Sequence, residues 1–326
     1  MHVSRRGDFG RSLLRAADHD VDRFGVLVPA TRLGLALEEA IGQAQGVRRV
    51  LPAQVTDIEM PGESARVAID AAGRVQHWTA DIVVGADGAG SWLRGRLGLP
   101  VQREDYGQDA LVLAVGIDRD HRGVAYELFL DDGAIAALPL AQRRVALVWT
   151  LSRAQAALIE AMDEPSRLAA MQSQFGHRLG RLHSPGRMIR YPLARVFAPH
   201  TVAGRAVLVG NAAQSLHPIA AQGFNLGLRD ALVLVEELLA ARQAGDDPRS
   251  ALLRYQQRRH ADRQRIAALS HALARWPGVR TPGMRLLRSL GFGVLNASGS
   301  LQASLVLAGM GFSSQAPQAC LSGAAA

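Results

Sequence analysis

Hydrophobic periodicity divides this chain into alternating stretches and stretches of helical spacing. Leu33, Leu37 and Ile41 recur at helical intervals behind Thr31, which predicts a helix over residues 31–45 with Thr31 as its N-cap. Period-2 patterns over 50–59, 65–70 and 75–84, punctuated by Pro61-Gly62 and Ala72-Gly73, predict a β-meander. A second sheet is predicted from 111–117, 126–130, 134–140 and 144–151, with turns at Asp131-Asp132-Gly133 and Ala141-Gln142-Arg143. A helix over 153–175 and a strand over 188–197 follow. Ala206-Val207-Leu208-Val209, closed by Gly210, is a short apolar run of the kind covered on both faces. Behind Gly223 the spacing is helical again. Leu228, Ala231, Leu232, Val235, Leu238 and Leu239 mark one face, and Arg229, Asp230, Glu236 and Glu237 the other. Residues 250–276 predict a long helix with Asp262, Arg263 and Arg265 on a solvated face, and 284–295 predict one more helix.

This order implies an α/β protein with a discontinuous nucleotide-binding domain, residues 1–100 and 190–275. A mainly antiparallel sheet domain, 101–189, interrupts it, and 276–326 form a C-terminal helical tail. A chain of 326 residues is long enough for two domains. The net charge of +8 raises nucleic acid as a partner, but all 37 basic residues are Arg, they are scattered, and aromatics make up only 5%. Stacking platforms are therefore scarce, which argues against a nucleic-acid-binding module. The Arg excess adds at most an attraction to anionic lipid. The single cysteine, Cys320, rules out an intramolecular disulfide and fits a reducing compartment. The basic N-terminus (Arg5, Arg6, Arg11, Arg15) lacks the apolar core of a signal peptide. No apolar run reaches the ~20 residues of a membrane span.

Two strand ends carry the candidate chemistry. Between Gly210 and the helix behind Gly223, the chain holds Asn211, Ala212, Ala213, Pro218, Ala220 and Ala221, so little side-chain bulk separates a ligand from the backbone. The following helix N-terminus offers free N–H groups and partial positive charge. The second site is Asp81-Ile-Val-Val-Gly-Ala-Asp87-Gly88-Ala-Gly90-Ser91-Trp-Leu-Arg94. Asp87 suits hydrogen bonds from ribose or backbone, and Arg94 suits screening of a phosphate; a plain turn capped by Asp87 is the alternative. Gly88-Ala-Gly90 is not a dinucleotide fingerprint, because the sixth position is Leu93 and no acid closes a second strand at the required distance.

Residues 204–230, GRAVLVGNAAQSLHPIAAQGFNLGLRD, resemble the second flavin motif of the FAD-dependent aromatic hydroxylases, and 81–94 resemble the Asp-Gly motif of the same family. Asn211-Ala-Ala-Gln214 is similar to the ubiquinone-biosynthesis branch that acts on 2-polyprenyl-6-methoxyphenol. The resemblance implies a para-hydroxybenzoate-hydroxylase-like FAD-binding domain with an inserted substrate sheet. It also implies FAD as cofactor, NAD(P)H as reductant, O₂ as co-substrate and a polyprenylated phenol as substrate. The family's opening strand, Gly-rich turn and helix have no counterpart here, about 80 residues by the size of such units. The FAD-binding domain is thus expected to be N-terminally incomplete, and a non-catalytic remnant with a structural or partner-binding role is the alternative function.

On this resemblance the flavin contacts are Asp87, Gly88, Arg94, Gly210, Asn211, Pro218, Gln222, Gly223 and Asn225. Asn211 keeps a ribityl hydrogen bond without charge, or is a turn or cap residue. Ala221 stands where relatives usually have Gly, which stiffens the loop. His217 is read as a hydrogen-bonded structural residue in preference to a base, and no catalytic residue is assigned. Gln108 either approaches flavin or substrate or lies in a solvated turn. An isoprenoid substrate implies a cytoplasmic protein peripheral to the inner membrane, with other ubiquinone-biosynthesis proteins as partners.

Overall fold

The computed structural model describes residues 1–8, 10–275, 284–310 and 317–318. Strands β1 (His2–Arg5) and β2 (Arg11–Leu13) precede helix α1 (Ala30–Gln43). A meander of β3 (Gln54–Glu59), β4 (Ala65–Ala71) and β5 (Arg74–Ala80) leads to β6 (Val83–Gly85) and α2 (Trp92–Arg96). Then come β7 (Gln102–Ile117), β8 (Tyr126–Phe129), β9 (Ala134–Leu140) and β10 (Arg144–Ser152), followed by α3 (Arg153–Ala161) and α4 (Glu164–Phe175). The chain continues through β11 (Leu182–His183), β12 (Ile189–Phe197), β13 (Val202–Ala203), β14 (Ala206–Leu208) and β15 (Gln214–Ser215). Helices α5 (Gly223–Ala244), α6 (Pro248–Arg275), α7 (Met284–Ala297) and α8 (Gly299–Met310) complete it.

Three sheets result among the described residues. The large one runs β15-β12-β7-β10-β9-β8-β1-β2, with β11 also on β7. Its pairs are antiparallel except β1 on β8, which is parallel. One face packs on α3 and α4 through Leu111, Leu113, Ile135, Leu147, Met171 and Phe175. The second sheet, β13-β14-β6, contains the parallel pair β14–β6, and the third is the meander β3-β4-β5. Leu208 and Ala206 face the meander and α2 through Ile58, Val67 and Leu93, while Val207 and Val209 face α5 and α6 through Val233, Leu234, Leu252 and Tyr255. The continuous apolar run at 206–209 is thus covered on both sides, as its composition predicts.

Several boundaries differ from the sequence expectation. The pattern places residues 1–100 in the nucleotide-binding domain, but β1 and β2 extend the large sheet, because the open edge of β8 pairs with His2–Arg5. It places residues 190–275 there too, yet β12 pairs along β7 with one bulge at Leu193/Ala194 and belongs to the same sheet. The 75–84 pattern is two strands, since the chain leaves the meander after Ala80 and enters the second sheet at Val83. The 153–175 helix breaks at Met162-Asp163, where the Asp163 side chain caps α4 and Pro165 suits its first turn. Helix α1 starts at Ala30 behind Pro29, so Thr31 lies inside its first turn and is not the cap. None of the fourteen residues of α1 is buried among the described residues.

The two helices of the second sheet correct the sequence reading most. Arg229 and Asp230 of α5 are buried, whereas Leu228, Val235 and Leu239 are about half exposed. Arg259, Asp262 and Arg263 of α6 are buried as well, not solvated. The reason is mutual satisfaction: charges from both helices meet each other between them, and each removes the other's desolvation penalty. Of the predicted tail, 284–310 forms α7 and α8; Cys320 lies outside the described residues.

Candidate active site

β6 and β14 run parallel in register, Val83 opposite Ala206 and Gly85 opposite Leu208, so the loops after them leave the same end of the sheet. The crevice outside the carboxyl ends of parallel strands is where α/β proteins take ligands. Gly88 has φ +81°, and a Cβ at Gly88, Gly90 or Gly223 would meet nothing within 4 Å, so these backbones border open space.

Asp87 and Arg94 do different work from that expected. The Asp87 carboxylate accepts from the Leu93 N–H (3.1 Å), and Ser91 Oγ accepts from the Arg94 N–H (3.0 Å), which together cap α2. Burial pushes the Asp87 carboxyl up, but hydrogen bonds from Ser91 and the Leu93 N–H outweigh it and hold its pKa low. The Arg94 guanidinium turns inward and donates to Ala212 O (2.7 Å) and Ala89 O (2.9 Å). It ties the two strand-end loops together and is buried, so it is not placed to screen a phosphate in the crevice.

Behind the crevice lies the buried charge network. Asp230 Oδ2 accepts from the Gly210 N–H (3.1 Å) and from Gln214 Nε2 (2.5 Å), while Oδ1 accepts from Arg259 Nε (2.8 Å). Arg259 Nη1 also donates to Asp262 Oδ2 (2.8 Å), which Arg229 approaches at 3.1 Å. Arg263 donates to Gln214 Oε1 (2.5 Å) and Ala198 O (2.7 Å), and the Tyr255 hydroxyl donates to Leu208 O (3.0 Å). Gln214 is therefore the polar hinge between loop and helices. Gly210 takes φ +57°. A Cβ on Gly227 would come within 3.1 Å of Gly210 Cα, so α5 lies directly against the turn.

The loop over the crevice is held from both sides. His217 Nδ1 accepts from the Ile219 N–H (3.2 Å), which leaves the proton on Nε2 to donate to Gln108 Oε1 (3.4 Å). Gln108 Nε2 donates to Asp132 O (2.7 Å), so Gln108 bridges loop and sheet. Tyr106 packs edge-on to the His217 ring at 5.1 Å, and Ser270 Oγ donates to His217 O (3.0 Å). Burial lowers the His217 pKa from 6.5 to about 4, and both nitrogens are engaged, so the ring is a neutral strut and not a base. Because the unfolded chain takes up that proton more readily, stability falls as pH drops from 6.5 towards 4. His217→Asn should flatten this part of a urea-midpoint-versus-pH curve; an unchanged slope would count against the assignment.

Further along, Pro218 opens a short 3₁₀ turn ending at Ala221, which takes φ +48°. An L-residue there is strained, so Ala221→Gly should stabilise by roughly 0.5–1 kcal/mol, the relief of strain exceeding the added chain entropy. Urea denaturation checks this, with Ala213→Gly, which has no such strain, expected to destabilise. Gln222 Nε2 donates to Gly309 O of α8 (2.6 Å), but its Oε1 is buried with no hydrogen-bond partner among the described residues. Asn211 and Asn225 are exposed on the loop and on the first turn of α5.

These features fit a flavin. The orphaned Gln222 acceptor sits at the N-terminus of α5, whose first turn carries no acid, and open space borders Gly88 and Gly223. Sequence reasoning missed Asp230, Arg259 and Arg263 as supports of the loop. Their signal was present: Arg259, Asp262 and Arg263 fall at i, i+3 and i+4, on one stripe of α6.

The FAD binding domain family model matches residues 27–270, which span both strand ends and the large sheet, so the class is that of FAD-binding flavoproteins. The chain is 34% identical to ubiquinone hydroxylase UbiL of Rhodospirillum rubrum over 291 residues, covering 88% of this chain and 67% of that protein. It is 30% identical to 3-demethoxyubiquinol 3-hydroxylase of Escherichia coli, covering 88% of this chain and 73% of the relative. The chain belongs to the FAD-dependent aromatic hydroxylases of the ubiquinone-biosynthesis family. Its fold is shared with p-nitrophenol 4-monooxygenase PnpA from Pseudomonas putida (TM-score 0.75, 17% identity, 94% of this chain and 79% of that one). It is shared also with PqsL, a probable FAD-dependent monooxygenase from Pseudomonas aeruginosa (TM-score 0.72, 22% identity, 90% and 80%).

Proposed function

We propose that this chain hydroxylates a polyprenylated methoxyphenol in ubiquinone biosynthesis, using FAD, NAD(P)H and O₂. The observation that carries the reading is the crevice itself: strand-end glycines and the α5 N-terminus border open space beside a loop bonded to the large sheet, and Gln222 Oε1 at that N-terminus is buried with no partner among the described residues. FAD, when bound, would supply the redox chemistry between NAD(P)H and O₂. Gly88, Gly210, Asn211, Pro218, Gln222, Gly223 and Asn225 would hold it, with Asp87 and Arg94 supporting the two loops from behind. Backbone N–H groups of the first turn of α5 offer positive potential to the electron-rich edge of the ring. The Tyr106–His217 ring contact and the His217–Gln108 hydrogen bond hold the loop against the sheet. No helix among the described residues is long and apolar enough to cross a membrane. Contact with the lipid-borne substrate is proposed to occur at the membrane surface or through a partner protein that presents it.

The test is to titrate the purified chain with FAD, follow flavin fluorescence, then add NAD(P)H and a short-chain prenyl methoxyphenol and measure oxygen incorporation by mass spectrometry. Saturable flavin binding with a hydroxylated product supports the reading. A protein that leaves added FAD unbound would sink it and favour a structural role.

A further inference from the structure

One charged residue of the large sheet serves neither the flavin crevice nor the buried charge network. The strand registers place Ile189, Val112, Val148, Ala136, Glu127, Val3 and Ser12 in a single transverse row, across β12, β7, β10, β9, β8, β1 and β2. Paired residues share a face, so this row lies opposite Tyr126 and Leu128, which pack into the core against α4. Glu127 is the one acid in the row. It is only 8% exposed, and its carboxyl makes no hydrogen bond or ion pair among the described residues. Arg5, on the same face in the adjacent row, pairs with Asp131 (2.8 Å) and Asp8 (3.5 Å).

Two further observations point to a ligand. On β9 the residue directly opposite Glu127 is Ala136, with Ala134 and Leu138 on the diagonals, so the side chain facing the carboxyl across the pair is short, and Val112 and Val148 are only half-buried. Gln108, the residue that accepts from His217, lies on the same face of β7, which puts the cofactor loop and Glu127 on one side of the sheet.

The geometry points to Glu127 as the group that hydrogen-bonds the hydroxyl of the aromatic substrate, an assignment that rests on the proposed phenol hydroxylation. A largely buried carboxyl with no protein partner is costly, and a ligand hydroxyl can bond it in place of the little solvent that reaches it. Burial raises its pKa to about 8, so at neutral pH it is a protonated acid that can both donate to and accept from a phenol. An apolar row with one such acid selects a flat ring carrying a hydroxyl, and fixes which ring edge faces the loop.

The test compares a short-chain prenyl methoxyphenol with its methyl ether, which keeps shape but cannot donate. Equilibrium binding is measured on the full chain with FAD present, for wild type, Glu127→Gln and Glu127→Ala. Wild type should prefer the phenol by about ten-fold, Glu127→Gln should keep part of that preference, and Glu127→Ala should bind the two within about two-fold. Flavin affinity should be unchanged in both variants. In wild type, isotope-edited infrared should show a protonated carboxyl band that shifts with the phenol and not with the ether; this arm needs no variant to fold. Equal binding of phenol and ether by wild type, a full preference surviving in Glu127→Ala, or no infrared shift overturns the assignment while the phenol reading stands. Wild type that binds neither compound overturns both.

Discussion

Asp230→Ala is expected to destabilise the protein by about 3–5 kcal/mol, at the top of the range for a single replacement. The carboxylate is fully buried and accepts from Arg259, Gln214 and the Gly210 N–H, so its loss leaves the buried guanidinium with Asp262 as its one carboxylate among the described residues and orphans the Gly210 N–H and the Gln214 amide. Arg259→Ala should cost a similar amount, because Asp230 is then the stranded charge. Replacing both with Leu should cost less than the sum of the single changes, since a paired apolar substitution leaves no charge unmatched. Arg265→Ala is the control: it bonds the same Asp262 from a half-exposed position and should move stability by no more than about 0.5 kcal/mol. Urea denaturation of the five proteins decides the matter. Single changes as mild as the control would show that the network is not what holds the Gly210 turn.

Gly133→Ala should be the second most damaging change, at about 1–3 kcal/mol or more. Its added Cβ would lie 2.0 Å from Thr150 O and 2.8 Å from Thr150 C, which are backbone atoms of β10 and cannot swing aside. The neighbouring contacts leave no slack: Ala134 N–H donates to Thr150 Oγ1 (2.9 Å), and Leu130 N–H donates to Gly133 O (2.9 Å). Strand β9 must move off β10, and with it the row that carries Ala136 and Glu127. Loss of stability should therefore coincide with loss of discrimination between phenol and ether. Gly95→Ala, where a Cβ meets nothing within 4 Å, should be neutral or mildly stabilising. Denaturation midpoints within about 0.5 kcal/mol of each other for these two variants would refute the steric argument.

What is legible in the sequence is local. The apolar run at 206–209, the glycines at 88, 210 and 223 and the strand hairpins of 126–152 each declare themselves within a few residues, because turn chemistry and alternation act at that range. The docking of His2–Arg5 on β8 is not legible, since it joins residues more than a hundred positions apart and depends on which sheet edge is left open. Asp230 and Asp262 read as surface charges for a related reason. A charge's cost of burial is offset only by a partner on another element, and one helix's pattern carries no record of that partner. Glu127 escapes notice because a single acid in an alternating strand reads as solvent-facing until the register shows what lies beside it. At Arg94, residue type suggests a phosphate, while the fold uses the guanidinium as a clasp between two loops.

The near-contact of Gly210 with Gly227 has an evolutionary consequence. A Cβ on Gly227 would press on Gly210 Cα at 3.1 Å, and Gly210 has no side chain to give up, whereas a Cβ on Gly210 would meet Gly227 at an ordinary 3.7 Å and is opposed by its φ of +57° instead. Genetic screens for suppressors of a Gly227 lesion should therefore recover changes that shift the whole of α5, and none at position 210. At Gly227, then, relief has to come from movement of the backbone, since no neighbouring side chain can be shortened to make room.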